Sequence, residues 1–91
     1  MINEREFLER ANVDRATLEV WVREAWICPA HTADEQRFTE MDLARARLIH
    51  DLKHNMGVND EGLDVILHLI DQMHGLRRAL AEALARLRQK A

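Results

Sequence analysis

Apolar residues recur along the chain in steps of three and four, the mark of helices that each bury one face. Over Asn3–Arg10 the inward pair is Phe7 and Leu8, Asn3 is placed to cap the first turn, and Ala11-Asn12-Val13 makes the turn that follows. A second helix, capped by Asp14 and running to about Ala25, carries Thr17, Leu18, Trp21 and Val22 on its inner face. Pro29 forbids further helix and pushes Cys28 towards extended backbone. The polar segment 30–36, flanked by Trp26-Ile27 and Arg37-Phe38, predicts a small hairpin. Thr39 and Asp42 form a capping box with Asp in place of Glu. It opens a third helix over Glu40–Asn55, with Met41, Leu43, Ala46, Leu48, Ile49 and Leu52 inward. Asn55-Met56-Gly57 stops that helix, and Gly57 suits the left-handed position.

Asn59 then serves as an N-cap, with Val58 and Leu63 placed as a hydrophobic staple. Asp60 and Glu61 fall in the first turn, where the helix dipole favours acids. No proline follows, so one helix of about thirty residues is expected. Leu63, Ile66, Ile70, Met73, Leu80, Leu84 and Leu87 track a three-four spacing, interrupted at Arg77 with Leu76 beside the gap. Little chain remains to cover that stripe, so the helix is expected to form a homodimer seam with a second copy. Antiparallel pairing is favoured, because parallel pairing would align two basic tails. The expected division is 1–58, a helix–turn–helix with a hairpin wing, and 59–91, a dimerisation helix of the same domain.

At 91 residues the chain is a single small domain, for which oligomerisation is a natural way to complete a core. Its net charge of −3 gives no support to general nucleic-acid or anionic-membrane binding. The distribution is uneven: residues 1–39 hold eight acids and five bases, residues 40–91 eight of each. From Arg77 onward there are five bases and only Glu82. Cys28 is the sole cysteine, so no internal disulfide is possible and a reducing cytoplasm is the expected compartment. The first residues lack an apolar signal core, and no apolar run approaches a membrane span.

The segment Val13–Pro29 is laid out as a DNA-reading helix leading into a wing, but its charge is wrong for phosphate. Asp14, Glu19 and Glu24 outnumber Arg15 and Arg23, whereas phosphate neutralisation supplies most nucleic-acid affinity. Catalytic machinery is not expected: there is no nucleophile–base pair, phosphate loop or carboxylate constellation. His50 and His54 have metal-ligand spacing without a third ligand, and Cys28-x2-His31 is a fragment better read as a small buried cysteine. His68 and His74 are read as surface or interface residues, and neither metal nor cofactor is expected. Trp21 and Trp26 are read as core and wing anchors.

The succession of these elements resembles the MerR-like winged helix–turn–helix. The resemblance rests on Phe7-Leu8, Ala11, Val13, Thr17-Leu18, Trp21, Trp26-Ile27-Cys28-Pro29, Arg37-Phe38, Asp42-Leu43, Arg47 and Gly57-Val58. It implies a mainly α fold with a small β-hairpin wing and a long C-terminal dimerisation helix. DNA-binding members follow the Thr-Leu pair with a basic residue and two tyrosines, whereas here Glu19, Val20 and Trp21 stand there and the chain has no tyrosine.

That departure, RLIHDLKHNMGVN in the third helix, and LDVILHLIDQM in the long helix look like the CbpM chaperone-modulator family. The resemblance implies a non-enzymatic protein that binds the J-domain of a CbpA- or DnaJ-like co-chaperone and blocks its stimulation of the Hsp70 ATPase. Asp60, Glu61, Asp64 and Asp71 are the candidate acids for meeting a basic J-domain helix. The alternative is a MerR-type transcriptional regulator, with Arg15, Arg23 and Arg37 contacting phosphates.

Overall fold

Each of the first three helices begins at the capping residue that its sequence supplies. In the computed structural model, which describes residues 1–32 and 34–90, Asn3 Oδ1 accepts from the Glu6 N–H at 2.8 Å and opens α1, Glu4–Ala11. Asp14 Oδ1 accepts from the Thr17 N–H at 2.7 Å and opens α2, Arg15–Arg23. The Thr17 hydroxyl and then the Thr17 N–H, both donating to it, hold the Asp14 carboxyl below its usual pKa, so this cap is intact above the carboxylate range and is lost as pH falls through the lowered pKa. Thr39 and Asp42 close the capping box in both directions and open α3, Glu40–His50.

Two helices end in left-handed turns. Asn12 takes φ 56° after α1, a conformation asparagine tolerates. After α2 the same role falls to Ala25, at φ 61°. There the Ala25 N–H bonds Val22 O at 3.0 Å and the Trp26 N–H bonds Trp21 O at 2.8 Å, the paired bonds of a Schellman motif. The helix therefore stops well before Pro29, and Trp26 and Ile27 turn into the core, 3% and 0% exposed. Cys28, expected to be buried, is exposed instead, because the reversal spends the inward positions on its two predecessors. Alanine in this conformation is strained where glycine is not. Ala25→Gly is expected to raise stability by about 0.5–1 kcal/mol in urea unfolding; a destabilised variant would refute the assignment of strain.

The hairpin lies slightly inside its expected flanks. Strand β2 is Ala30–Thr32 and β3 is Glu35–Phe38, paired antiparallel with Ala30 opposite Arg37 and Thr32 opposite Glu35. A third strand, β1, Ile2–Asn3, joins the other edge of β3 with Ile2 opposite Phe38, so the order is β1-β3-β2. Nothing in a two-residue strand signals itself locally. The pairing nevertheless places Phe38 against Phe7, their rings stacked with centroids 4.2 Å apart. Arg10 clamps Glu40 through two 3.0 Å bonds, tying α1 to the start of α3. The Arg45 guanidinium donates to the Trp26 carbonyl, tying α3 to the loop after α2.

Past His50 the helix widens into a π-turn over Asp51–Asn55, and Gly57 follows at φ 67°. Leu52 stays buried while Met56 is exposed. Met41, expected to face inward, is also exposed, at 70%; it lies in the first turn, beside the cap, and Leu43, Ala46 and Ile49 supply the buried side of α3.

The chain forms two compact units, Met1–Asn59 and a second that begins at Asp60. The second is the long helix α4, Asp60–Lys90. In its first half Leu63 and Leu67 are buried, and Ile66 and Ile70 are intermediate. The outward apolar residues are Val65, Leu69, Met73, Leu76, Leu80, Leu84 and Leu87, each between 43% and 72% exposed. At 3.6 residues per turn these seven share one strip about 100° wide along the whole helix. No helix among the described residues is long and apolar enough to cross a membrane.

Candidate functional site

The capped start of α2 projects Arg15 and Glu19 outward, since Leu18 and Trp21 occupy its buried side. The β1–β3 pairing then brings the first turn of α1 and the outer face of the hairpin alongside them. The result is an open hollow of about 770 Å³ in the first unit, walled by Asn3–Arg5 on one side, Arg15 and Glu19 on another, and His31 with Asp34–Arg37 on the third. The described residues that line it all carry polar side chains.

Its charges are largely settled among themselves. Arg15 Nε lies 3.5 Å from Glu4 Oε1, and Arg37 Nη2 lies 2.6 Å from Glu35 Oε2. Arg5 is held more loosely, 3.8 Å from Glu9. Four acids, Glu4, Glu19, Asp34 and Glu35, face three arginines. Glu19 and Asp34 have no ion-pair partner among the described residues, so the hollow presents surplus negative charge. Exposed ion pairs of this kind contribute little to stability, but they decide what the surface offers a ligand. A phosphate backbone would have to strip each arginine from its own carboxylate and then meet two further anions.

Two of the three arginines considered for phosphate contact, Arg15 and Arg37, are thus gathered in the hollow, each already paired. Arg23 lies outside it, exposed at the far end of α2. Sequence reasoning singled out Glu19 but not Glu4, Asp34 or Glu35. Their convergence depends on the long-range β1–β3 register, which only the alternation of Gln36, Arg37 and Phe38 could have hinted at.

The other candidate acids stand on α4. Asp60, Glu61, Asp64 and Asp71 are all exposed, and Asp60, Asp64 and Asp71 each already take part in an interaction within the chain. The span 60–71 carries those four acids and no lysine or arginine, whereas 77–90 carries five bases and one acid. The helix is therefore a charge dipole laid along an apolar strip. His50 and His54 lie with ring centroids 4.5 Å apart, tilted by 41°. Among the described residues they belong to no group of three or more metal-ligating side chains.

Comparison with known families matches residues 2–89 to the MerR HTH family regulatory protein. No curated protein and no solved structure matches the chain.

Proposed function

The chain belongs to the MerR HTH family of regulatory proteins, and from that premise we propose that it regulates another protein rather than a promoter. In this reading the first unit is a winged helix–turn–helix, with α2 as the former reading helix and β2–β3 as the wing. The observation that carries it is the charge of the α2–hairpin face. Glu19 and Asp34 have no ion-pair partner there among the described residues, and two of the three arginines that could serve DNA, Arg15 and Arg37, are held by Glu4 and Glu35. Such a face repels a duplex and attracts a basic protein surface.

The partner that best fits is the J-domain of a DnaJ- or CbpA-like co-chaperone. The resemblance of 47–59 and 63–73 to chaperone modulators points to it, and a basic J-domain helix supplies the complementary charge. Occupying that helix would block its coupling to Hsp70 and suppress ATPase stimulation. The chain is not an enzyme in this reading and works as a cytoplasmic homodimer without a cofactor. Its negative surfaces are two: the hollow and the α4 acids Asp60, Glu61, Asp64 and Asp71.

The outward strip Val65–Leu87 of α4 supports the homodimer. Antiparallel pairing sets the acidic span 60–71 of one copy against the basic span 77–90 of the other, so both flanks of the seam attract. Parallel pairing would place like charge on like.

Calorimetric titration of the full chain with the cognate J-domain is expected to show micromolar or tighter binding, weakening by about tenfold or more between 50 mM and 300 mM salt. Absence of heat at low salt would sink the chaperone reading. The second reading, a transcriptional regulator, draws on the presence of Arg15 and Arg37 in the hollow. It requires a salt-dependent shift of promoter DNA at sub-micromolar protein that Arg15→Ala abolishes.

A further inference from the structure

A protein-directed regulator with two negative surfaces must use one of them first, and the two are not equivalent. On α4, Asp60, Asp64 and Asp71 already have interactions within the chain, and an antiparallel pair would set the partner's 77–90 bases beside them. In the hollow, Glu19 and Asp34 are exposed and have no ion-pair partner among the described residues. Both line the hollow from different elements, Glu19 on α2 and Asp34 in the turn before β3.

We propose that this hollow is the docking site for a cationic helix of a partner protein, whose lysine and arginine side chains reach between α2 and the hairpin to Glu19 and Asp34. The inference rests on the reading of the chain as a protein-directed regulator, and it locates the contact that reading leaves open. The hollow, about 770 Å³, is open enough to receive several long side chains. Its polar walls suit charged heads more than an apolar anchor. The paired arginines give the site selectivity as well as affinity. Arg15 beside Glu4 and Arg37 beside Glu35 repel a misplaced cation, so the incoming charges must fall on the two open carboxylates. An acidic or phosphate-bearing ligand meets the reverse pattern and is rejected.

The test uses the full chain and a synthetic helical peptide of alanine, lysine and arginine with blocked ends, followed by backbone amide shifts in two-dimensional NMR. Shifts are expected at Arg15–Glu19 and Asp34–Arg37. The apparent Kd is expected to rise about tenfold in the Glu19→Lys, Asp34→Lys double variant, with an unchanged far-UV spectrum as the check that the fold is retained. Asp60→Asn with Asp64→Asn should leave the affinity unchanged. Shifts confined to 60–71, equal affinity in the charge-reversed variant, or a DNA duplex of similar length binding the same amides more tightly would each overturn the proposal. Peptide binding in the hollow by a chain that ignores the J-domain would support the site and remove only the J-domain as its natural occupant. J-domain binding undiminished by the double variant would do the opposite.

Discussion

Phe38→Ala is expected to cost about 3–5 kcal/mol, the range for deleting a fully buried aromatic ring, and to lower the melting temperature by about 15–30 °C. A domain of this size has roughly 5–15 kcal/mol in total, so the loss takes between about a fifth of that stability and all of it. Three connections meet at or beside this one residue. Phe38 is wholly buried and stacks on Phe7 of α1. Its backbone pairs with Ile2. The next residue, Thr39, closes the capping box that starts α3. Removing the ring therefore leaves a cavity where sheet, first helix and third helix meet. Urea unfolding at fixed protein concentration checks this, since dimerisation would otherwise shift the midpoint. A loss below about 1 kcal/mol would mean that the site collapses around the gap and that Phe38 is not the keystone of the first unit.

Leu80→Asp is expected to turn the proposed homodimer into monomer over the micromolar range, raising its dissociation constant at least about a hundredfold. In a twofold seam the aspartate enters twice, each time without a compensating charge, and burying even one unpaired carboxylate costs several kcal/mol. Sedimentation or light scattering reads the mass, and far-UV circular dichroism should remain helical because Leu80 is exposed in the protomer. Leu69→Asp discriminates between the alternative seams. Leu69 belongs to the outward strip, at 56% exposure, so it should dissociate the pair without unfolding the chain. Leu63→Asp should instead damage the protomer itself, because Leu63 is buried within it. A wild-type chain of single-copy mass at micromolar concentration would remove the dimer from the account.

The elements legible in the sequence were those whose instructions are local. Asn3, Asp14 and the Thr39–Asp42 box each act within three residues, and the structure makes every one of those bonds. Gly57 likewise occupies the left-handed position expected of it. What escaped depended on distance or on a choice that periodicity leaves open. Strand β1 exists only because β3 returns to it. The end of α2 is set by an alanine in a conformation alanine rarely takes, so Pro29 drew the attention that belonged to Ala25. On α4, leucine, isoleucine and valine surround more than half of the helix, and a three-four spacing can be traced along either side. Burial separates Leu63 and Leu67 from Val65 and Leu69; spacing alone does not. The hollow shows the same limit. Its unusual residue, Glu19, was visible in the sequence as a misplaced charge on a reading helix, but the acids that join it come from α1 and the hairpin.

The pairing of Ile2 with Phe38 also sets an order of events in time. The β2–β3 hairpin closes locally, whereas β1 must bring together chain ends separated by roughly thirty-five residues, an entropic cost that only the finished core offsets. A strand of two residues adds little protection of its own, so β1 is expected to be the last piece of the sheet to dock and the first to open. On that side of the hollow Asn3 belongs to β1, and Glu4 and Arg5 follow it as the first residues of α1. Amide exchange at Asn3 would thus report how often the strand is docked, and a partner bound in the hollow as proposed would draw on its binding energy to hold the amino-terminal strand closed.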